Sequence, residues 1–268
     1  MLVATGPGDD TVNMSATTGD DVVMTGSGND TVTGGTGDDS IYGGSGNDAL
    51  TAGGDHQLLD GGTGADNLTG SAEGHDTLIG GGGSDTLDGG SGGHQLLIGD
   101  NSTLSGGDGD HDADDGRGHD HGHGWGWGHD HDWSSGGGND VLNAGSGSHD
   151  TLVGGGGKDV LMGGNGSFEL LQGGDGKDTI TASTGGHDTL DGGSGNDTFH
   201  IGATGNDTVF GGSGHDTLVF DDGSILDPST HVDTNHHTGV TTVTFGGGQT
   251  VTVSGVEELV FTDGTKHL

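Results

Sequence analysis

One nine-residue word, Gly-Gly-x-Gly-x-Asp-x-hydrophobic-x, recurs in register from about Thr5 to Val219 and restricts the chain to a repeating fold. Clear copies are Thr25-Gly-Ser-Gly-Asn-Asp-Thr-Val-Thr33, Gly43-Gly-Ser-Gly-Asn-Asp-Ala-Leu-Thr51, Gly173-Gly-Asp-Gly-Lys-Asp-Thr-Ile-Thr181 and Gly192-Gly-Ser-Gly-Asn-Asp-Thr-Phe-His200. Each copy has one apolar side chain between two polar ones, the period of a short strand with one residue inward and two outward. A unit with so little to bury is stable only when stacked on its neighbours. The glycines allow positive φ and close backbone approach. The turn carbonyls and the sixth-position Asp offer the hard oxygen ligands that calcium takes. Each copy therefore reads as a calcium half-site followed by a three-residue strand.

The copies alternate between two edges of the expected coil. Edge one carries Asp10, Asp30, Asp48, Asp66, Asp85, Asp140, Asp159, Asp178, Asp197 and Asp216, spaced 18 to 20 residues apart except for the jump from 85 to 140. An all-Asp edge is expected to hold a continuous calcium ladder. Edge two carries Asp21, Asp39, Gln57, Asp76, Gln95, Asp150, Glu169, Asp188 and Asp207, often in a ten-residue word such as Gly70-Ser-Ala-Glu-Gly-His-Asp-Thr-Leu-Ile79. Gln is neutral and Glu is longer, so calcium on this edge is expected to be weaker or patchy. His56, His75, His94, His149 and His187 stand just before the edge-two ligand position, with Phe168 in the same slot once. At about 4.8 Å per rung they would form a partial imidazole ladder. That ladder is either an exposed stack on a turn or a transition-metal or pH-sensitive docking surface.

The repeat resembles the RTX family, the glycine- and aspartate-rich nonapeptide repeats of bacterial proteins exported through one-step secretion channels. The resemblance covers about four fifths of the chain and implies an all-β fold: a calcium-bound parallel β-roll, right-handed, of about ten coils. It also implies export directed by a C-terminal signal. Composition agrees with folding that depends on the metal. Forty-two acidic residues against four basic ones give a formal charge of −38, and only 25% of residues are hydrophobic, a balance that by itself predicts disorder. With 68 glycines the ordering entropy is severe, so ion binding must offset it, leaving an unfolded apo chain and a folded holo rod. There is no cysteine, hence no disulfide framework. Met1 to Asp10 has no basic region and no long apolar run, so the expectation is extracellular localisation without a cleaved N-terminal signal peptide. No stretch is long enough to span a membrane, and the acidic surface argues against nucleic acid.

The expected organisation is a first part of the roll over 1–105, an insertion over 106–135, a second part over 136–220 and a C-terminal capping and secretion region over 221–268. Gly99 to Ser105, with Leu104 inward, reads as a shortened edge-one repeat, so the insertion is expected to emerge on edge two. The insertion holds six of the seventeen histidines and all three tryptophans, and is nearly palindromic about Trp125. His119, His121, His129 and His131 face each other in such a hairpin and are candidate ligands for zinc, copper or nickel. The alternative is a solvated loop. A third reading makes Trp125, Trp127 and Trp133 adhesive anchors for another copy, a carbohydrate or a cell-surface ligand.

Near the C-terminus, Val240–Phe245 and Gln249–Val253 alternate like two strands around Gly246-Gly-Gly248, and Gly255–Gly264 is similar to the closing segments of RTX arrays. These would cap the last coil, whereas the repeats begin by Thr5 with no equivalent cap. An uncapped first rung suits head-to-tail joining, which gives filaments when it does not close. The leading functional expectation is a secreted, calcium-folded structural protein whose partner is itself, in end-to-end homopolymers. The alternative is a passive monomeric secretion or adhesin module. There is no Gly-x-Ser-x-Gly and no His-Glu-x-x-His, so no enzyme is expected. The outward turn positions vary too much for the flat Thr/Asn array of ice-binding rods.

Overall fold

The computed structural model describes residues 1–99, 138–202, 205–223 and 226–268, and all of its regular structure is β. Long strands such as Val22–Ser27, Ser40–Ser45 and Leu58–Thr63 alternate along the chain with three-residue strands such as Thr31–Thr33, Ala49–Thr51 and Asn67–Thr69. Each kind stacks on its own kind, the long strands in a 13-stranded sheet and the short ones in a 12-stranded sheet, with parallel pairing through the repeats. This is the parallel β-roll that the nine-residue word implies.

Register carries the core. In the long-strand sheet Val23 pairs with Ile41, Ile41 with Leu59 and Leu59 with Leu78. In the short-strand sheet Val32 pairs with Leu50, Leu50 with Leu68, Leu68 with Leu87 and Leu87 with Leu142. All of these side chains are fully buried. Each coil thus adds one apolar side chain from each sheet, worth about 1.5 to 3 kcal/mol apiece. The glycines at the turns let consecutive coils approach this closely. Gly174 sits at φ +107, and a Cβ there would collide with the carbonyl of Gly155 in the preceding coil.

The insertion leaves the roll elsewhere than expected. Leu96–Ile98 lies between Thr77–Gly82 and Thr151–Gly157 in the long-strand sheet, while Thr86–Asp88 pairs directly with Val141–Asn143 in the short-strand sheet. Thr86–Asp88 and Val141–Asn143 are thus direct neighbours, while Leu104 and the short repeat read around it lie outside the described residues. Gly99 and Asp140 belong to one edge-one turn: a Cβ on Gly99 would meet Asp140 Oδ2. The described residues on either side of 100–137 therefore stand on edge one, where edge two was expected. His119, His121, His129 and His131, with Trp125, Trp127 and Trp133, lie outside the described residues.

At the C-terminal end Thr250–Ser254 and Glu258–Phe261 add one more parallel strand to each sheet. Val240–Thr244 then pairs antiparallel with Thr250–Ser254, His231–Asn235 with Val240–Thr244, and Gly264–His267 with Glu258–Phe261. Phe220, Phe245 and Phe261 close the core beneath these hairpins, with Phe220 stacked on Phe261 at 4.7 Å and meeting Phe245 edge-on at 5.3 Å.

Leu142→Ala removes a fully buried side chain from the rung that follows the insertion. We expect a loss of about 2 to 5 kcal/mol, read as a higher calcium concentration at the folding midpoint by circular dichroism. Leu226→Ala, at a side chain 74% exposed, is expected to stay within about 0.5 kcal/mol of the parent.

Candidate metal sites along the two edges

Every edge-one Asp occupies the same place in its turn, and successive turns are tied by one repeated hydrogen bond. The backbone N–H of Asp10 donates to Asp30 Oδ1 at 2.7 Å, that of Asp30 to Asp48 at 2.8 Å and that of Asp48 to Asp66 at 2.7 Å. The series continues through Asp66, Asp85, Asp140, Asp159, Asp178 and Asp197 to Asp216 at 2.7 to 2.8 Å. It crosses the insertion unbroken, with Asp85 donating to Asp140 at 2.7 Å. One carboxylate oxygen of each residue thus satisfies an amide of the coil before it.

The other oxygen is different. Oδ2 of Asp30, Asp48, Asp66, Asp85, Asp178, Asp197 and Asp216 is buried with no hydrogen-bond partner. A buried ionised oxygen without a partner carries a heavy desolvation penalty. In all of these turns but that of Asp30, where Thr25 takes the place, the oxygen faces a small space over the first glycine. A Cβ on Gly173 would lie 2.5 Å from Asp178 Oδ2 and 2.8 Å from the carbonyl oxygen of Gly192 in the next coil. At Gly192 the corresponding distances are 2.5 Å to Asp197 Oδ2 and 2.6 Å to the carbonyl oxygen of Gly211. Carboxylate and carbonyl oxygens that converge on a space too small for a methyl group, across two coils, fit a hard divalent cation such as calcium.

Electrostatics agree. Burial, partly opposed by the Asp48 amide and reinforced by the carboxylates of Asp85, Asp48 and Asp60, pushes Asp66 up to about 7. Burial likewise raises Asp85, Asp178 and Asp197 to about 6. These side chains hold a proton at mildly acidic pH unless a cation replaces it.

The sequence leaves one member of this ladder unmarked. The Asp216 N–H donates to Glu257 Oε2 at 2.8 Å, so Glu257 takes the ligand position of the closing coil. The signal was present: Gly255-Val-Glu257-Glu258-Leu259 keeps the Gly-x-acid-x-hydrophobic spacing, and Leu259 pairs with Leu218.

Edge two is chemically mixed. Its ladder bonds run from Asp21 to Asp39, from Gln57 through Asp76 and Gln95 to Asp150, and on through Glu169 and Asp188 to Asp207, at 2.7 to 3.0 Å. Three of its aspartates have both oxygens engaged. Asp39 Oδ2 accepts from the Gly35 N–H, Asp76 Oδ2 from the Ser71 N–H, and Asp188 Oδ2 from the N–H and hydroxyl of Ser183. At two further rungs an amide does what a cation would do: Gln57 Nε2 donates to the carbonyl of Gly37 at 2.5 Å and Gln95 Nε2 to that of Gly89 at 2.7 Å. Asp21, Asp150, Glu169 and Asp207 keep one buried oxygen without a partner. Burial raises Glu169 to about 8 and Asp207 to about 6. Edge two thus mixes rungs closed by the protein's own donors, from Asp39 to Gln95 and at Asp188, with rungs that invite a cation.

The histidine slot of edge two lies in the left-handed region, with φ of 56 to 66° for His56, His75, His94, His149, Phe168 and His187. Their rings form one continuous stack with centroids 4.8 to 5.2 Å apart and interplanar angles of 5 to 21°. Ring faces cover one another along the column, so the ring edges meet solvent.

Gln57→Asp removes the donor that closes its rung and should add one bound calcium, counted by native mass spectrometry; an unchanged count overturns this account of edge two. Asp85→Ala should lower the count by at least one and raise the calcium midpoint of folding. A second check follows from the raised carboxylates. Between their ordinary range near 4 and the raised values, the folded chain binds protons that the unfolded chain does not, so proton-stabilised folding is lost as pH rises through 6 to 7. In chelator the β signal should therefore grow from pH 8 to pH 5; a flat profile would contradict the buried ladder.

The pattern of the RTX calcium-binding nonapeptide repeat matches residues 15–50, 60–93, 134–167, 168–199 and 201–224, more than half of the chain and both parts of the roll. No curated protein matches the chain. The in-register nonapeptide word, the parallel roll it builds and the columns of buried Asp oxygens place this chain in the RTX family of calcium-binding repeat proteins.

Proposed function

We propose that this chain is a secreted structural protein that folds when calcium fills its edge-one ladder and that joins end to end into extracellular filaments or a surface layer. The observation that carries the reading is the column of buried, partnerless Oδ2 atoms on edge one. Calcium held by Asp30, Asp48, Asp66, Asp85, Asp178, Asp197, Asp216 and the facing turn carbonyls supplies the positive charge that these carboxylates need. Asp10, Asp140 and Asp159 share the ladder hydrogen bonds of the same edge. On edge two the candidates are Asp21, Asp150, Glu169 and Asp207, while Asp39, Asp76 and Asp188 already have amide partners for both oxygens. A chain that stays unfolded where calcium is scarce and folds where it is plentiful is suited to export as an extended polymer.

End-to-end joining is supported by the two end strands of the long-strand sheet. Among the described residues Leu2–Pro7 pairs with Val22–Ser27 alone, and Met1 and Leu2 are exposed. At the far end His231–Asn235 is the outermost strand. Two successive antiparallel pairings give it the same direction as the coil strands. A second copy's Leu2–Pro7 would meet it as a parallel pair, continuing the sheet from one molecule to the next. The formal charge of −38 opposes such contact, and bound calcium relieves it. The carboxylates of the roll are occupied with amides and cation cages, and no catalytic role is proposed for them.

Electron microscopy of chelator-stripped protein before and after millimolar calcium tests both parts. Long fibres that form only with calcium support the proposal. Discrete short rods in calcium remove self-assembly and leave a monomeric calcium-folded module.

A further inference from the structure

We propose that Asp55, His56 and His75 form a binding site for a divalent transition-metal ion such as zinc, separate from the calcium ladders. The three side chains come from two adjacent coils at the start of the ring column. Asp55 Oδ2 lies 3.0 Å from His56 Nδ1, and Asp55 Oδ1 lies 3.1 Å from His75 Nδ1. One donor atom from each residue lies within 4.8 Å of the other two. Two imidazole nitrogens and a carboxylate form a donor set that favours zinc, copper or nickel over calcium.

Position within the column singles out this step. All the stacked rings share the left-handed turn conformation and the spacing of about 5 Å. The residue before the ring is Asp only at Asp55. At the later coils it is Gly74, Gly93, Ser148, Ser167 and Gly186, none of which carries a carboxylate. Stacking alone therefore does not make the site; stacking with one bridging carboxylate does. The left-handed backbone fixes where each ring leaves the turn, so His56 and His75 are aligned before any ion arrives.

The geometry also says what binding must change. Donors on a tetrahedral ion at about 2.0 to 2.1 Å lie about 3.4 Å apart. A pair at the 4.8 Å limit must close by about 1.4 Å. All three side chains are roughly half exposed and can make that adjustment. The rings of His56 and His75 are now within 5° of parallel, which sends their in-plane lone pairs in similar directions. Binding should tilt them toward a shared point and weaken the contact of His75 with His94.

The test is a zinc titration of the full-length, calcium-folded chain, followed by two-dimensional NMR of the histidine ring nitrogens. That readout separates His56 and His75 from the histidines between residues 106 and 135. We expect the Nδ1 signals of His56 and His75 to shift together and to saturate at one equivalent. Asp55→Asn and His75→Ala should each weaken binding at this site about tenfold or more. His94→Ala, which removes a stacked ring but no proposed ligand, should bind zinc as the parent does. An unchanged calcium-induced circular dichroism signal confirms that each variant has folded. The site is overturned if the His56 and His75 signals do not move, or if Asp55→Asn binds zinc like the parent. It is also overturned if His94→Ala loses as much as His75→Ala, since binding would then belong to the column at large. If His75→Ala fails to fold, Asp55→Asn decides alone.

Discussion

The structure depends on one hydrogen bond made again and again: a backbone amide at the ligand position donates to one oxygen of the acidic side chain a coil further on. It fixes coil to coil, sets the register that aligns the apolar column, and spends half of each carboxylate. What it leaves over is a second oxygen, buried and charged, in a chain whose interior has almost nothing else to offer it. Calcium is therefore a consequence of how the coils are joined. Any ladder of this kind built with carboxylates needs a counter-charge for each rung, and any built with amides does not.

Edge two shows both solutions in one molecule. Gln57 and Gln95 close their rungs with a side-chain donor, and Ser71 and Ser183 supply a main-chain amide to Asp76 and Asp188. Each such closure lowers the demand for metal without altering the stacking, so calcium dependence can be set rung by rung through single residues. Edge one has no such substitution from Asp10 to Asp216. The two edges thus differ in how many rungs leave a carboxylate oxygen in need of a counter-charge.

Much of this was legible because the repeat makes each residue's environment a copy of its neighbour's. The spacing of Asp30, Asp48 and Asp66 gave the edge, the coil length and the inward position of Val32, Leu50 and Leu68 at once. The histidine column followed from the same arithmetic, as did the antiparallel strands on either side of Gly246-Gly-Gly248. Reading failed where a residue's role depends on a partner that the word does not encode. Nothing in the spelling tells Asp76, whose second oxygen is met by an amide, from Asp150, whose second oxygen is not. Glu257 was overlooked because it fills an Asp slot in a segment that no longer spells the word. A residue count also cannot show that Thr86–Asp88 and Val141–Asn143 are paired directly with each other.

That last feature has a wider meaning. Asp85 and Asp140 stand 55 residues apart in sequence, yet they are bonded as adjacent rungs, and the strands on either side keep the pairing of an ordinary coil. Closing a longer connection costs little more than closing a short one, since the entropy grows only with the logarithm of length. Gly99 and Asp140 are both held by neighbouring coils. Each edge turn of such a roll is thus a socket into which sequence can be spliced without disturbing register, and the rod becomes a ruler. Cargo placed in any socket stands at a height fixed to within one coil.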